Sequence, residues 1–215
     1  MYLSNLRSIA IIAILHAVGL YGLTSLYGNL FLDLTPLNLL ITALIFWLAT
    51  EPEKRTKNMG GAWAAIFAIG WGVEWLGVHT GLIFGEYVYG PTLGVKFFNI
   101  PLVIGVNWII VTLSAYAWAS VWISTRWGRV LLGSAFMVLL DVAIEPVAIR
   151  YNYWQWAEGV VPLKNYLGWF VVSLAVTGIW SAVAPKVPNR THQITYFVLF
   201  LFFLTLNVFI YVGLV

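Results

Sequence analysis

Seven long and nearly uncharged apolar runs limit the folds that this sequence can adopt. A helix needs about 20 consecutive apolar residues to cross a bilayer, and in lipid the helix satisfies its own backbone hydrogen bonds. The runs cover residues 8–30, 34–50, 61–79, 99–123, 130–149, 165–184 and 192–214. The sequence therefore predicts an all-α, multi-pass membrane helix bundle in which residues 1–215 form a single integral-membrane domain.

Composition supports a membrane protein and excludes several other classes. Of the 215 residues, 61% are hydrophobic and 9% are charged, whereas soluble domains carry about 25% charged residues. The 11 Lys and Arg residues are too sparse to form a basic footprint, so no nucleic-acid partner is expected. Because the chain has no cysteine, disulfides and thiolate metal ligands are excluded. We expect a cell-membrane protein in contact with lipid.

The basic residues are distributed unevenly between the two ends of the predicted bundle. The end that carries the N-terminus and the even-numbered loops holds Arg7, Lys54, Arg55, Lys57, Arg126, Arg129, Lys186 and Arg190. The opposite end holds only Lys96, Arg150 and Lys164. Because cytoplasmic loops carry the excess of Lys and Arg, this pattern predicts a cytoplasmic N-terminus.

Three carboxyl groups, those of Glu74, Asp141 and Glu145, lie within the apolar runs. A carboxyl at the bilayer centre costs about 2.5–3.5 kcal/mol on insertion scales, and such groups usually face the bundle interior. A rise of 1.5 Å per residue puts Glu74 roughly 20 Å and Asp141 roughly 17 Å from the cytoplasmic ends of their helices. The three groups are therefore expected at a similar depth, in the middle to outer half of the membrane.

Asp141 and Glu145 are four residues apart and share one side of a helix. Two carboxyls this close should not both ionise in a low dielectric, so at least one is expected to keep its proton near neutral pH. A buried neutral carboxylic acid is a proton donor. The alternative is a structural role, in which these groups hydrogen-bond across helices or pair with Arg150 or His79. Asn107 and Trp108 of the fourth run are candidates to complete a polar pocket.

Two loops on the non-cytoplasmic side, residues 80–98 and 150–164, are rich in aromatic residues. These residues are Phe84, Tyr87, Tyr89, Phe97, Phe98, Tyr151, Tyr153, Trp154 and Trp156. They are typical of an aromatic belt at the membrane interface, but they also fit a lid over a cavity. The remaining polar residues carry less information: His16 is more typical of a buried core histidine. The three histidines lie on separate elements, so no metal site is predicted.

Three ordered blocks between residues 70 and 160 resemble a known family. The first is EWLGVHTGLIFGEYVY at residues 74–89. The second is Pro101 followed seven residues later by Trp108, and the third is DVAIEPVAIRYNYWQW at residues 141–156. Together they resemble the membrane-integral carotenoid hydratase family, which includes the bisanhydrobacterioruberin hydratases. The resemblance implies addition of water to the terminal 1,2 double bond of an acyclic carotenoid, a lycopene-like polyene, without any cofactor.

The chemistry of alkene hydration suggests a role for each candidate residue. An acid protonates the alkene, and water then captures the tertiary carbocation and loses a proton to a base. Asp141 is the first choice for the acid and Glu145 the second, while Glu74, with His79, is expected to position the water and take its proton. The expected walls around the cation and the polyene are Trp71, Trp75, Tyr87, Tyr89, Asn107, Trp108, Trp154 and Trp156.

Two other functions stay open from the sequence. One is a related alkene-protonating enzyme, a lycopene cyclase or isomerase, in which the cation is quenched internally instead of by water. The other is a non-catalytic membrane protein that binds or transports carotenoids.

Overall fold

The computed structural model of the chain describes residues 2–185 and 187–214. Over these residues the chain is mostly helical. The α-helices are α1 (Asn5–Leu23), α2 (Gly28–Asp33), α3 (Thr35–Ala49), α4 (Lys57–Thr80), α5 (Val103–Ala119), α6 (Arg126–Arg150), α7 (Leu163–Val183) and α8 (Arg190–Tyr211). The strands are β1 (Tyr87–Tyr89), β2 (Lys96–Phe97), β3 (Ile100–Pro101) and β4 (Trp154–Trp156), and a short 3-10 helix covers Pro52–Lys54.

Five of these helices, α1, α4, α6, α7 and α8, are long and apolar enough to cross a membrane. The other two predicted spans correspond to α3 and α5, with 15 and 17 residues, which at 1.5 Å per residue span about 22 to 26 Å. The hydrocarbon core is about 30 Å thick, so both fall short of its full width. The expected helical membrane bundle is present, with five helices of membrane-crossing length in the part of the chain described.

The first predicted span, 8–30, is wrong at its C-terminal end, because α1 stops at Leu23. Hydroxyl groups bind the last carbonyls of the helix: Thr24 donates to the Leu20 carbonyl at 2.9 Å, and Ser25 donates to the Gly22 carbonyl at 2.8 Å. Such side-chain bonds compete with continuation of the helix. The chain then restarts as the short helix α2, which begins at Gly28.

The predicted span 99–123 is also longer than the helix that forms, since α5 covers only Val103–Ala119. The preceding residues form the antiparallel hairpin of β2 and β3. Its turn holds Phe98 and Asn99 at φ values of 47° and 66°, which are incompatible with a right-handed helix. At the other end, the Ser120 hydroxyl binds the Ala117 carbonyl at 2.5 Å as the helix stops.

Helix α5 lies at the centre of the bundle, where it contacts α3, α4, α6, α7 and α8. Its close approach to α4 depends on small residues. A Cβ atom on Gly70 of α4 would lie 2.3 Å from the Trp108 ring, and one on Gly105 of α5 would lie 2.6 Å from Phe67. The two backbones therefore pack around glycine, as is common between helices in membranes.

This packing predicts opposite effects of alanine at two glycines of α4. Gly70→Ala is expected to lower the thermal unfolding midpoint, because overpacking against Trp108 costs about 1–3 kcal/mol. Gly72→Ala is the matched control, since nothing lies within 4 Å of a Cβ there, and alanine favours the helix by about 0.5–1 kcal/mol. Thermal melts of both variants in detergent check the prediction, and equal midpoints would contradict the packing described.

The two ends of the bundle differ in chemistry. At one end, the Leu3 amide donates to the Leu48 carbonyl and the Asn189 side chain donates to the Ala49 carbonyl, so the starts of α1 and α8 meet the end of α3. Arg126 binds Ser181 at this end. The opposite end carries the two aromatic loops. The cytoplasmic location of the first end stays a prediction.

Candidate active site

The two aromatic loops join in a two-stranded antiparallel ribbon of β1 and β4. Tyr87 pairs with Trp156, and Tyr89 pairs with Trp154. Because side chains alternate across a strand, these four rings point to one side of the ribbon, whereas Val88 between the tyrosines is 62% exposed. The ribbon forms the lid that the sequence allowed. Phe97 and Phe98 of the neighbouring hairpin are exposed instead, as an interfacial belt requires.

Glu74 is buried beneath this ribbon and accepts three hydrogen bonds. The hydroxyls of Tyr87 and Tyr89 donate to its Oε2 at 2.5 and 2.7 Å. The indole nitrogen of Trp108 donates to Oε1 at 3.1 Å. Three donors directed at one carboxyl stabilise its charged form and offset part of the cost of burying it.

The two tyrosines keep their protons and so remain donors to Glu74. Burial, together with the nearby charge of Glu74, raises the pKa of both the Tyr87 and the Tyr89 hydroxyl well above the usual value. Burial likewise raises the pKa of Tyr153, close to β4, to about 12. All three hydroxyls are therefore neutral at physiological pH, and those of Tyr87 and Tyr89 donate to Glu74.

Glu145 lies beneath the same face of the ribbon and is also surrounded by donors. The indole nitrogens of Trp154 and Trp156 donate to its Oε2 at 3.1 and 2.9 Å. The side-chain amide of Asn165, near the start of α7, donates to Oε1 at 3.3 Å. The ribbon therefore binds one carboxyl through tyrosines and the other through tryptophans.

Asp141 differs from the other two carboxyls in having few donors. Its Oδ2 accepts from the Asn165 amide at 2.7 Å, so Asn165 links Asp141 to Glu145. Its Oδ1 is buried and has no hydrogen-bond partner among the described residues. An unpartnered buried oxygen is costly for a charged carboxylate and is better suited to a neutral carboxylic acid.

A chamber of about 30 Å³ lies between Glu74 and Glu145. It is large enough for a water molecule, which needs about 10–15 Å³ by the same kind of measure and two to four polar partners. The chamber is lined by Glu74, Phe84, Tyr87, Tyr89, Ile104, Asn107, Trp108, Glu145, Trp154, Trp156, Asn165 and Trp169. Asp141 does not line it; it lies behind Asn165.

A second, larger cavity of about 230 Å³ lies beside this chamber. The two share the side chains of Ile104, Asn107 and Trp154. Most of its wall is apolar, with Leu15, Phe31, Leu140, Ile144, Phe202 and Phe203 among the lining residues. Its rim includes Val18, Leu34 and Leu37, which are exposed on the apolar surface. The larger cavity therefore opens at the apolar surface between α1 and α3.

Besides Asp141, three predicted site residues line neither cavity: His79, Trp75 and Trp71. His79 is exposed, and its Nδ1 lies 2.8 Å from the Trp75 carbonyl, while the Trp75 side chain is 40% exposed. Five residues along a helix rotate His79 by about 140° from Glu74, and one residue rotates Trp75 by about 100°. The Trp71 ring packs against the Phe97 ring with centroids 5.8 Å apart, and it lies outside the chamber.

Two residues of α7 belong to the site although the sequence did not single them out. Asn165 links the two carboxyls of α6, and the Trp169 ring stacks on Trp108 with centroids 4.3 Å apart. They are four residues apart and so share one helix face. The sequence did contain a signal for these two site residues. Asn165 is an amide at the same depth as Glu145, and Trp169 follows it one helical turn later.

Comparison with known proteins assigns the chain to a family. The model of the family described as "Carotenoid biosynthesis protein" matches residues 34–215. A bisanhydrobacterioruberin hydratase from Haloarcula japonica is 28% identical over 123 residues, which are 54% of this chain and 42% of the relative. The match thus spans about two fifths of that relative's length. No solved structure matches the chain. This protein belongs to the family of carotenoid biosynthesis proteins.

Proposed function

We propose that this protein hydrates the terminal double bond of an acyclic carotenoid. The observation that carries the proposal is a water-sized chamber between two carboxyls, beside an apolar cavity that opens at the apolar surface of the bundle. Hydration of a polyene requires this combination, because water and an insoluble alkene must meet at one acid. The family and the name of the Haloarcula relative support the same reaction class.

In this proposal the linked pair of Asp141 and Glu145 supplies the proton. Glu145 lines the chamber and is the group that contacts the alkene, whereas Asp141 lies behind it as the reservoir for the shared proton. The proton adds to one carbon of the double bond, and a tertiary carbocation forms on the other. A positioned general acid of this kind contributes about 10²–10⁴-fold to the rate.

The aromatic side chains between the two cavities would stabilise the cation. Trp154 lines both the chamber and the apolar cavity. Trp156 lies on the same face of β4, and Tyr87 of β1 packs against Trp156 from the opposite strand. A cation over an aromatic face gains about 2 kcal/mol or more when it is desolvated. The same rings shield the cation from bulk water, so that a single bound water captures it.

Glu74 would orient that water and accept its proton. Three donors favour its ionised form, and it lies across the chamber from Glu145. The water oxygen bonds to the cation, and the excess proton passes to Glu74. Return of this proton to the acid pair restores the starting state, so that water is the only co-substrate.

The larger cavity would hold the end of the polyene. Its volume of about 230 Å³ lies below the roughly 300–1,000 Å³ of sites that enclose drug-sized ligands, so most of a long polyene would stay in the bilayer. Entry between α1 and α3 from the lipid explains why the site lies inside the membrane. With a cytoplasmic N-terminus in the cell membrane, this entry faces the outer leaflet.

Expression in a lycopene-producing host tests the proposed reaction. We expect pigments that have gained the mass of one or two water molecules, measured by mass spectrometry of the extracted carotenoids. The same host without the gene is the control. Lycopene that is recovered unchanged beside correctly inserted protein would contradict hydration, and cyclised pigment without a gain in mass would indicate internal quenching of the cation.

A further inference from the structure

A pair of arginines at the start of α6 has no role in the proposed hydration. Arg126 is the first residue of this helix, and Arg129 lies about one turn further on. Both belong to the end of the bundle opposite the aromatic loops, because Arg126 contacts Ser181 near the end of α7. At 1.5 Å per residue, Arg126 is about 22 Å along α6 from Asp141. The pair is therefore separate from the candidate active site.

Specific contacts hold both guanidinium groups in place. The Nε atom of Arg126 donates to the hydroxyl of the buried Ser181, and that of Arg129 donates to the Ile123 carbonyl, each at 2.9 Å. Both groups also interact electrostatically with the Tyr116 hydroxyl of α5, so they converge on one place. Because a guanidinium carries five N–H donors, each arginine keeps donors on its Nη atoms that a ligand can use.

No negative charge in the described part of the chain compensates this pair. Among residues 2–185 and 187–214, no carboxyl group forms an ion pair with Arg126 or Arg129. The first turn of α6 holds no acidic residue, and the side chain of its N-cap residue Thr125 makes no capping hydrogen bond. Since the N-terminus of a helix carries a partial positive charge, two arginines there create a positive potential that a bound anion would relieve.

Exposed tryptophans beside the arginines indicate that this anion belongs to a membrane lipid. Trp122 and Trp127 are 66% and 69% exposed, and the guanidinium carbon of Arg126 lies 5.1 Å from the centroid of the Trp127 ring. Tryptophan is enriched at the level of the lipid headgroups. The arginines therefore lie at the depth of the headgroup phosphates, whose oxygens match the N–H fork of a guanidinium.

We propose that Arg126 and Arg129 bind the headgroup phosphate of an anionic phospholipid. Their Nη donors bond to the phosphate oxygens, and the exposed tryptophan rings contact the glycerol and the first part of the acyl chains. An anionic lipid is favoured over a zwitterionic one, because two uncompensated arginines repel the positive charge of a choline headgroup. Basic pockets between membrane helices bind lipid headgroups in this way. The proposal does not depend on carotenoid hydration.

Lipid binding to the full-length protein in a neutral detergent tests the site. The protein is titrated with phosphatidylglycerol, or with phosphatidylcholine that has the same acyl chains, and native mass spectrometry gives the dissociation constant of the first bound lipid. Each arginine near the lipid surface is expected to contribute about a fivefold gain in affinity. We therefore expect phosphatidylglycerol to bind about 25-fold more tightly than phosphatidylcholine.

Single and double variants assign this preference to the two arginines. Arg126→Gln and Arg129→Gln are each expected to reduce the preference about fivefold, and the double variant should reduce it to about one. Arg150→Gln is the matched control, because it removes an exposed arginine from the other end of the same helix, and it should keep the preference. Arg129→Gln also leaves the contact between Arg126 and Ser181 intact, so the test does not depend on one variant that folds poorly.

Four results would overturn the proposal. They are equal affinity of the wild type for both lipids, a preference that survives in the double variant, an equal loss in Arg150→Gln, and displacement of phosphatidylglycerol by inorganic phosphate at the same concentration. The last result would assign the arginines to a dissolved anion instead of a lipid. A preference that is lost in the double variant and kept in Arg150→Gln supports the proposal, whether or not the protein hydrates carotenoids, because the measurement uses no polyene.

Discussion

Glu145→Gln is expected to reduce carotenoid hydration by at least about 10²-fold, the usual contribution of a general acid. Glutamine keeps the size of the side chain, and its oxygen still accepts from the indoles of Trp154 and Trp156. It has no acidic proton to give to the alkene. Hydroxylated product measured by chromatography in membranes with equal amounts of protein checks the result.

Asp141→Asn should cause a loss of similar size, because Asn165 links Asp141 to Glu145 and the two are proposed to share one proton. The matched control is Glu158→Gln, which changes an exposed carboxyl after β4 and should keep full activity. If Asp141→Asn and Glu145→Gln both hydrate carotenoid at the wild-type rate, α6 does not supply the acid.

Glu74→Gln is expected to change which products form as well as how fast they form. Without the carboxylate, the water is neither oriented nor deprotonated, so hydrated product should fall by about 10²-fold or more. The acid pair still protonates the alkene, and the cation then loses a proton to give back an alkene. We expect substrate in which the terminal double bond has exchanged hydrogen or has moved.

Turnover in deuterated water distinguishes this result from simple loss of folding. Deuterium in recovered carotenoid without a gain in oxygen would show that protonation continues after water capture has stopped. Tyr87→Phe is a milder companion change, since it removes one of the three donors to Glu74 and should weaken hydration less. Wild-type amounts of hydrated product from Glu74→Gln would contradict the role of Glu74 as base.

The sequence predicted the carboxyls of the site because buried charge in apolar helices is rare and costly. Glu74 and Glu145 face one chamber, and Asp141 is linked to Glu145, as their shared depth suggested. The motif spacing also indicated Tyr87, Tyr89, Trp108, Trp154 and Trp156, which line the chamber with Asn107. These residues were predictable because each lies close in sequence to a carboxyl or within a block of the family resemblance.

Other parts of the site depend on contacts that the sequence does not encode locally. The register that pairs Tyr87 with Trp156 joins loops far apart in the chain, so the division of tyrosines and tryptophans between two carboxyls was not predictable. Asn165 resembled an ordinary polar residue near a helix start. His79 and Trp75 were placed by their proximity to Glu74, although their positions on α4 turn both away from the cavity.

The most direct test of the account is the source of the oxygen in the product. Purified protein is incubated with lycopene in water enriched in a heavy oxygen isotope, and the pigments are analysed by mass spectrometry. We expect one heavy oxygen atom for every double bond that is hydrated, with at least about 10²-fold less labelled product from the Glu145→Gln variant. Product that carries only oxygen of normal mass, or modified polyene with no added oxygen, would contradict it.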